Sequence, residues 1–150
     1  GWHTHKNGGK LNTHLDYSVH PKLNLQRKLN IIIYINPNWK QEWGGSLGFW
    51  DNESSEKPGD LITSVWNKFN RAVIFDTTQN SWHGLPDPLE CPEEESRQSL
   101  AAYFLCDPPE DVDTRGKALF APTKEQQDDP EILELIKKRS NSATAASVYK

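Results

Sequence analysis

The sequence predicts a mainly β domain of the sandwich or barrel type, closed by a single C-terminal helix. Three observations carry this reading. Short runs rich in β-branched and aromatic residues recur up to about residue 106, Gly, Pro, Asn and Asp punctuate them, and helical periodicity appears only after Pro130. Several short strands spaced by turn residues favour two packed sheets or a closed barrel. With 150 residues and 35% hydrophobic composition, the chain suffices for one domain with a modest core.

Strands are expected near residues 10–16, 27–36, 45–51, 60–66, 71–76, 80–84 and 97–105. The run from Leu29 to Ile35 is almost continuously apolar, which suits a strand covered on both faces and places it mid-sheet. Asn36-Pro37-Asn38, Trp43-Gly44-Gly45 and Lys57-Pro58-Gly59-Asp60 read as turns or loops between strands. Asp107-Pro108-Pro109-Glu110 ends the strand pattern. Residues 107–131 then carry eight acids against three bases and read as an acidic, mobile connector. Pro130 opens a helix through Arg139, with acid in its first turn and base in its last, as the helix dipole favours. Ser140 to Lys150 reads as a frayed tail. The expected division is a core over residues 1–106 and an appended connector, helix and tail over 107–150.

Charge is unevenly shared. The first forty residues hold six bases (Lys6, Lys10, Lys22, Arg27, Lys28 and Lys40) against the single acid Asp16, a net +5, so the rest carries −9 of the overall −4. This basic region either attracts anionic small molecules or is a solvated surface. No block of Lys and Arg is interleaved with aromatics, so no nucleic-acid partner is expected. Ile31 to Ile35 is too short to span a bilayer and no signal-like segment is visible, so no membrane partner is expected either. Cys91 and Cys106 lack metal-ligand spacing and form no disulfide framework, which makes a reducing compartment, the cytoplasm, the expected location.

The most informative residues are His14-Leu15-Asp16. In a strand, residues two apart share a face, so His14 and Asp16 can grip the same ion. His83, in Ser81-Trp82-His83-Gly84, would complete two histidines and one carboxylate on one facet of a metal, the ligand set of non-heme Fe(II) oxygenases. Read alone, His14-x-Asp16 also fits a surface hydrogen-bonded pair, and His83 also fits a cap on backbone groups. His3-x-His5 shares the two-residue period but lacks a nearby carboxylate. Arg97 and Ser99 share one face of the last strand. A guanidinium there needs an anion, either a ligand carboxylate held by its fork or one of Glu93, Glu94 and Glu95.

The order His14-x-Asp16, His83, Arg97-x-Ser99 resembles the iron- and 2-oxoglutarate-dependent dioxygenases, in particular their prolyl-4-hydroxylase-like branch, over roughly residues 5–106. Gly8-Gly9-Lys10-Leu11, Tyr34-Ile35-Asn36, Trp43-Gly44-Gly45-Ser46-Leu47 and Asn70-Arg71-Ala72-Val73-Ile74-Phe75 add to the likeness. The resemblance implies a double-stranded β-helix, a jelly-roll variant. It implies Fe(II) held by His14, Asp16 and His83. It also implies 2-oxoglutarate held through Arg97, with help from Ser99 and Tyr34, and O2 as co-reactant. Tyr34 equally fits core packing, and His5 lies where many relatives carry a pocket tyrosine. The implied reaction hydroxylates a peptide or small-molecule substrate, a prolyl residue being one option, while 2-oxoglutarate is decarboxylated to succinate. Halogenating relatives lack the carboxylate present here as Asp16, so halogenation is not expected.

Relatives carry helices and a strand ahead of the matched region that brace the larger sheet. Residues 1–150 are therefore expected to be a fragment or a trimmed domain, with exposed sheet favouring self-association. Trp39, Trp43 and Trp50 either line an entrance or pack against the sheet. A different class remains open: a cupin- or lectin-like binding module with a structural metal, which would tolerate loss of Arg97. An interaction scaffold built on the C-terminal segment is a third; unlike it, the dioxygenase reading expects the metal site to survive deletion of residues 107–150.

Overall fold

The computed structural model describes residues 1–20, 22–77, 81–112 and 117–140. The expected tail from residue 141 onward lies outside the described residues. The strands are β1 (Trp2–His5), β2 (His14–Leu15), β3 (Gln26–Tyr34), β4 (Leu47–Ser54), β5 (Lys57–Val65), β6 (Ala72–Asp76), β7 (Trp82–Gly84), β8 (Arg97–Cys106) and β9 (Leu119–Phe120). One helix, α1 (Pro130–Ser140), follows. The larger sheet has the order β1-β8-β3-β6 and the smaller the order β5-β4-β7-β2-β9, with antiparallel pairings throughout. From β1 to β8 the chain crosses between sheets at each step except the β4–β5 hairpin. That winding is the double-stranded β-helix.

β3 runs mid-sheet between β8 and β6, as its apolar run predicts. Its alternation sends Asn30, Ile32 and Tyr34 into the space between the sheets, while Leu29, Ile31 and Ile33 face outward and are only half-buried. Cover on both faces is thus incomplete. The inward residues meet Leu47 of the smaller sheet and Ala101 of β8, with Phe49, Val73 and Phe75 packed around them. Behind the smaller sheet, Leu15 and Trp82 pack with Ala121, Trp50 and Leu119. A third cluster joins Trp39, Leu89, Cys91 and Trp43. Trp39 and Trp43 therefore take the packing role, while Trp50 both packs behind the smaller sheet and lines a surface cavity with Leu85, Pro86 and Pro122.

Three expectations are corrected. Lys57-Pro58-Gly59-Asp60 is not a turn but the start of β5, paired with the end of β4, the hairpin turning at residues 55–56. Strand 10–16 shrinks to His14–Leu15, because Gly8 turns the chain at φ 69° and residues 8–11 bond instead to the 85–89 loop (Gly8 N to Leu89 O 2.8 Å, Leu85 N to Leu11 O 2.9 Å). The extra edge strand β1 precedes it, built from Trp2-His3-Thr4-His5, whose inward side chains are histidines and so carry no apolar signal. The acidic stretch is not a bare connector either. Within it β9 pairs with β2, and Ala121 N donates to Thr13 O at 2.8 Å.

Candidate active site

His14 and His83 lie directly opposite one another on β2 and β7, with ring centroids 4.3 Å apart. Period two sends Leu15 and Trp82 to the back of the sheet and both imidazoles to the front. Asp16 follows immediately, its carboxylate 3.8 Å from His14 Nε2 and 3.9 Å from His83 Nε2. Those gaps are too long for hydrogen bonds. One ligand atom from each of the three residues lies within 4.8 Å of the others, and all three residues are buried. Metal–nitrogen and metal–oxygen bonds of about 2.0–2.2 Å span gaps of this order.

The rings are also held the right way round. His14 Nδ1 bonds to Asn12 O at 2.9 Å and His83 Nδ1 to Ser81 O at 2.8 Å. A carbonyl only accepts, so each Nδ1 carries the proton and each Nε2 turns a lone pair toward the cluster. Burial lowers the pKa of both imidazoles, that of His83 to about 4, with the neighbouring His14 pushing in the same direction. Phe120 of β9 stacks on His14 at 5.0 Å and Phe75 meets His83 edge-on at 4.8 Å.

Arg27 is the functional neighbour that sequence reasoning missed. Counting by twos from Leu29, Ile31 and Ile33 places it on the outer face. The register of β3 against β8 slips between Arg27 and Leu29, however, and this bulge turns Arg27 inward. Its Nη1 lies 3.1 Å from Asp16 Oδ2, and its guanidinium sits between the rings of Tyr17 and Tyr103, 3.8 and 3.4 Å from their centroids.

The other end of the chamber carries a buried guanidinium. Arg97, Ser99 and Tyr34 come together on the inner face of the larger sheet, Ser99 being the register partner of Tyr34. Arg97 is 4% exposed and its Nε donates to Gly45 O at 2.7 Å. No carboxylate among the described residues pairs with it, so the alternative of a bridge to Glu93, Glu94 or Glu95 is not what the chain adopts. Burial raises the Tyr34 phenol pKa, with Arg97 opposing, and lowers that of Arg97. His3 and His5 face the same space opposite Ser99 and Arg97, their pKa values lowered by burial, and they stand outside the His14–Asp16–His83 group.

Tyr34 OH, Ser99 Oγ, His5 Nδ1, Asn30 Oδ1 and Asp16 Oδ2 are buried without a hydrogen-bond partner among the described residues; Asp16 Oδ2 faces Arg27 only as an ion pair. Each such group costs about 1–3 kcal/mol when left unpaired. A cation at the Asp16 end and a small dianion at the Arg97 end fit these orphaned atoms. The donor set of two neutral imidazoles and a carboxylate likewise suits a divalent transition metal.

Fold and site together define a double-stranded β-helix with a 2-histidine-1-carboxylate cluster at the mouth of its smaller sheet. The model of the 2OG-Fe(II) oxygenase superfamily matches residues 1–105, and the chain belongs to that superfamily. Among curated proteins it is similar to prolyl 3-hydroxylase OGFOD1 of Mus musculus, 30% identical over 78 residues. The Xenopus laevis counterpart is 28% identical over 78 residues. These matches cover 52% of this chain but only 14% and 15% of the relatives' lengths. A solved structure of a prolyl 4-hydroxylase from Phytophthora capsici aligns with 93% of this chain and 41% of its own, at a TM-score of 0.49 and 22% identity. No helix among the described residues is long and apolar enough to cross a membrane.

Proposed function

We propose that this chain is the catalytic core of an Fe(II)- and 2-oxoglutarate-dependent hydroxylase, with residues 1–106 carrying the chemistry and 107–150 appended to them. The observation that carries the reading is the meeting of His14, Asp16 and His83 in a chamber whose opposite end holds Arg97. In this reading His14 Nε2, His83 Nε2 and an Asp16 oxygen hold the iron. Arg97 Nε is committed to Gly45 O, so its two Nη groups receive the distal carboxylate of 2-oxoglutarate, with Ser99 and Tyr34 hydroxyls donating beside them. When bound, the iron and cosubstrate supply an oxidation in which 2-oxoglutarate and O2 become succinate and CO2 while one oxygen atom enters a substrate C–H bond.

The chain's own part is to bind, orient and exclude water. Burial keeps both imidazoles neutral and ready to coordinate, and Arg27 balances the carboxylate of Asp16. The substrate is a peptide or a small molecule. A prolyl residue is the first to try, because the relatives are named as prolyl hydroxylases. A reducing, cytoplasmic setting suits the free thiols of Cys91 and Cys106. A cupin- or lectin-like binding module is not favoured, since the superfamily match is to oxygenases.

The test is an anaerobic titration with Fe(II) and then 2-oxoglutarate, watched for the weak visible charge-transfer band of the chelate. The wild type is expected to develop the band and His83→Ala to lose it. Arg97→Ala is expected to need at least about tenfold more 2-oxoglutarate, as loss of a charged hydrogen bond implies. A band that persists unchanged in His83→Ala would remove that residue from the ligand set. Succinate release in air, with and without proline-containing peptides, then addresses the substrate.

A further inference from the structure

We infer that Asn67 is a positioning residue for Arg97, and that the turn of residues 66–71 thereby sets the affinity of the chamber for 2-oxoglutarate; the second half rests on the reading of Arg97 given above. Asn67 lies between β5 and β6 and is 1% exposed. Its carboxamide is oriented by its surroundings: turned so that the nitrogen faces the two carbonyls, the nitrogen donates to Gly44 O and Gly45 O, both at 3.2 Å, and the oxygen accepts from Trp39 Nε1 at 2.9 Å, an N–H that Gly44 O also accepts. Gly45 O is also the acceptor of Arg97 Nε. One carbonyl therefore ties Asn67 to Arg97.

Among the described residues Gly45 O takes these two donors, while Gly44 before it is held by Trp39 Nε1 donating to Gly44 O at 2.9 Å and by Gly44 N donating to Gln41 O at 3.0 Å. Gly44 and Gly45 both sit at positive φ, 72° and 84°, so the loop carries no side chains of its own. A Cβ at Gly45 would come within 2.7 Å of Arg97 Cδ, which shows how closely the arginine lies on the loop. The same turn clamps the other side of the anion site. Asn70 N donates to Tyr34 O at 2.9 Å, Tyr34 N donates to Arg71 O at 3.0 Å, and Arg71 Nη1 closes the turn on Trp66 O at 2.9 Å. Two of the groups proposed to grip the cosubstrate are thus braced by one short turn that touches neither the metal cluster nor the cosubstrate.

A guanidinium fork recognises a carboxylate by geometry, so a small tilt of Arg97 weakens binding even though its charge remains. Removing the Asn67 amide frees the Gly45 carbonyl to move. A merely structural Asn67 would instead lower stability, iron affinity and cosubstrate affinity together.

The experiment uses the full chain, as wild type, Asn67→Ala and Asn67→Ser, the serine retaining one donor. Exchange of the Arg97 Nε–H is followed by NMR, and Fe(II) and 2-oxoglutarate affinities by anaerobic titration. Asn67→Ala is expected to speed Nε–H exchange and weaken 2-oxoglutarate by about tenfold each, with Fe(II) affinity held within about twofold and Asn67→Ser in between. Unchanged exchange, unchanged 2-oxoglutarate affinity, a parallel loss of iron, or failure of both variants to fold would each overturn the inference. Wild-type protein that binds no 2-oxoglutarate would overturn the functional reading instead, and Nε–H exchange would still decide whether Asn67 positions Arg97.

Discussion

Asp16 faces two imidazoles at nearly 4 Å and one guanidinium at 3.1 Å, so among the described residues Arg27 is its only close cation. Arg27→Gln is expected to weaken Fe(II) binding about 10–100-fold, the usual consequence of losing a ligand's outer partner, read by competition with a chromophoric chelator. Asn30 presents the opposite case. Its Oδ1 is buried and unpaired beside Tyr103 and Phe75, so Asn30→Leu should leave the melting temperature of the metal-free protein unchanged or raise it. A drop of several degrees would show that the amide has a structural partner. The imidazoles set a pH dependence. Burial holds folded His83 at about 4 against an ordinary 6.5, so the unfolded chain takes up more protons between those values. Metal-free protein should therefore be most stable above pH 6.5 and lose stability as pH falls toward 4, as urea midpoints at several pH values would record. At this scale legibility follows distance along the chain. His14 and Asp16 could be paired by the strand period alone, whereas His83 lies 67 residues beyond Asp16 and was reachable only through family likeness. Arg27 was hidden by a bulge that reverses its face, and Asn67 by the ordinariness of an asparagine in a turn.

Strand alternation found the long elements because each has a half-buried face. β3 and β8 extend close to where their residue types place them, and α1 begins at Pro130. Two short elements, β1 and β9, escaped for physical reasons. β1 buries histidines toward a polar chamber, and β9 is two residues long within an acidic segment. β9 matters nonetheless, because Phe120 stacks on His14 and Ala121 seals Leu15 and Trp82. Truncation before residue 117 is therefore expected to cost about 2–3 kcal/mol, the order of uncovering one or two large apolar side chains, and to loosen His14. The metal site is still expected to survive loss of residues 107–150, with His14 less firmly held. Denaturant midpoints and Fe(II) affinity of the truncated chain check it; unchanged values in both would show that β9 is dispensable.

Across the whole molecule, the two sheets bury polar groups beside the apolar cluster between them and leave further apolar groups outside. The outer face of the larger sheet exposes Trp2, Ile74, Phe104 and Leu100, at 65%, 60%, 54% and 41% of their surface. A contiguous apolar face of this kind drives association, so the 150-residue chain should show a concentration-dependent mass by light scattering, and Ile74→Ser with Phe104→Ser should return it toward the monomer. Among the orphaned polar atoms of the interior are Asp16 Oδ2 beside the two imidazoles and Tyr34 OH and Ser99 Oγ on the same face as Arg97. The most direct measurement is anomalous diffraction at the iron edge from crystals grown anaerobically with Fe(II). The expected result is a single peak within bonding distance of His14 Nε2, Asp16 and His83 Nε2. A peak at His3 and His5, or one that leaves His83 outside the coordination sphere, would contradict it.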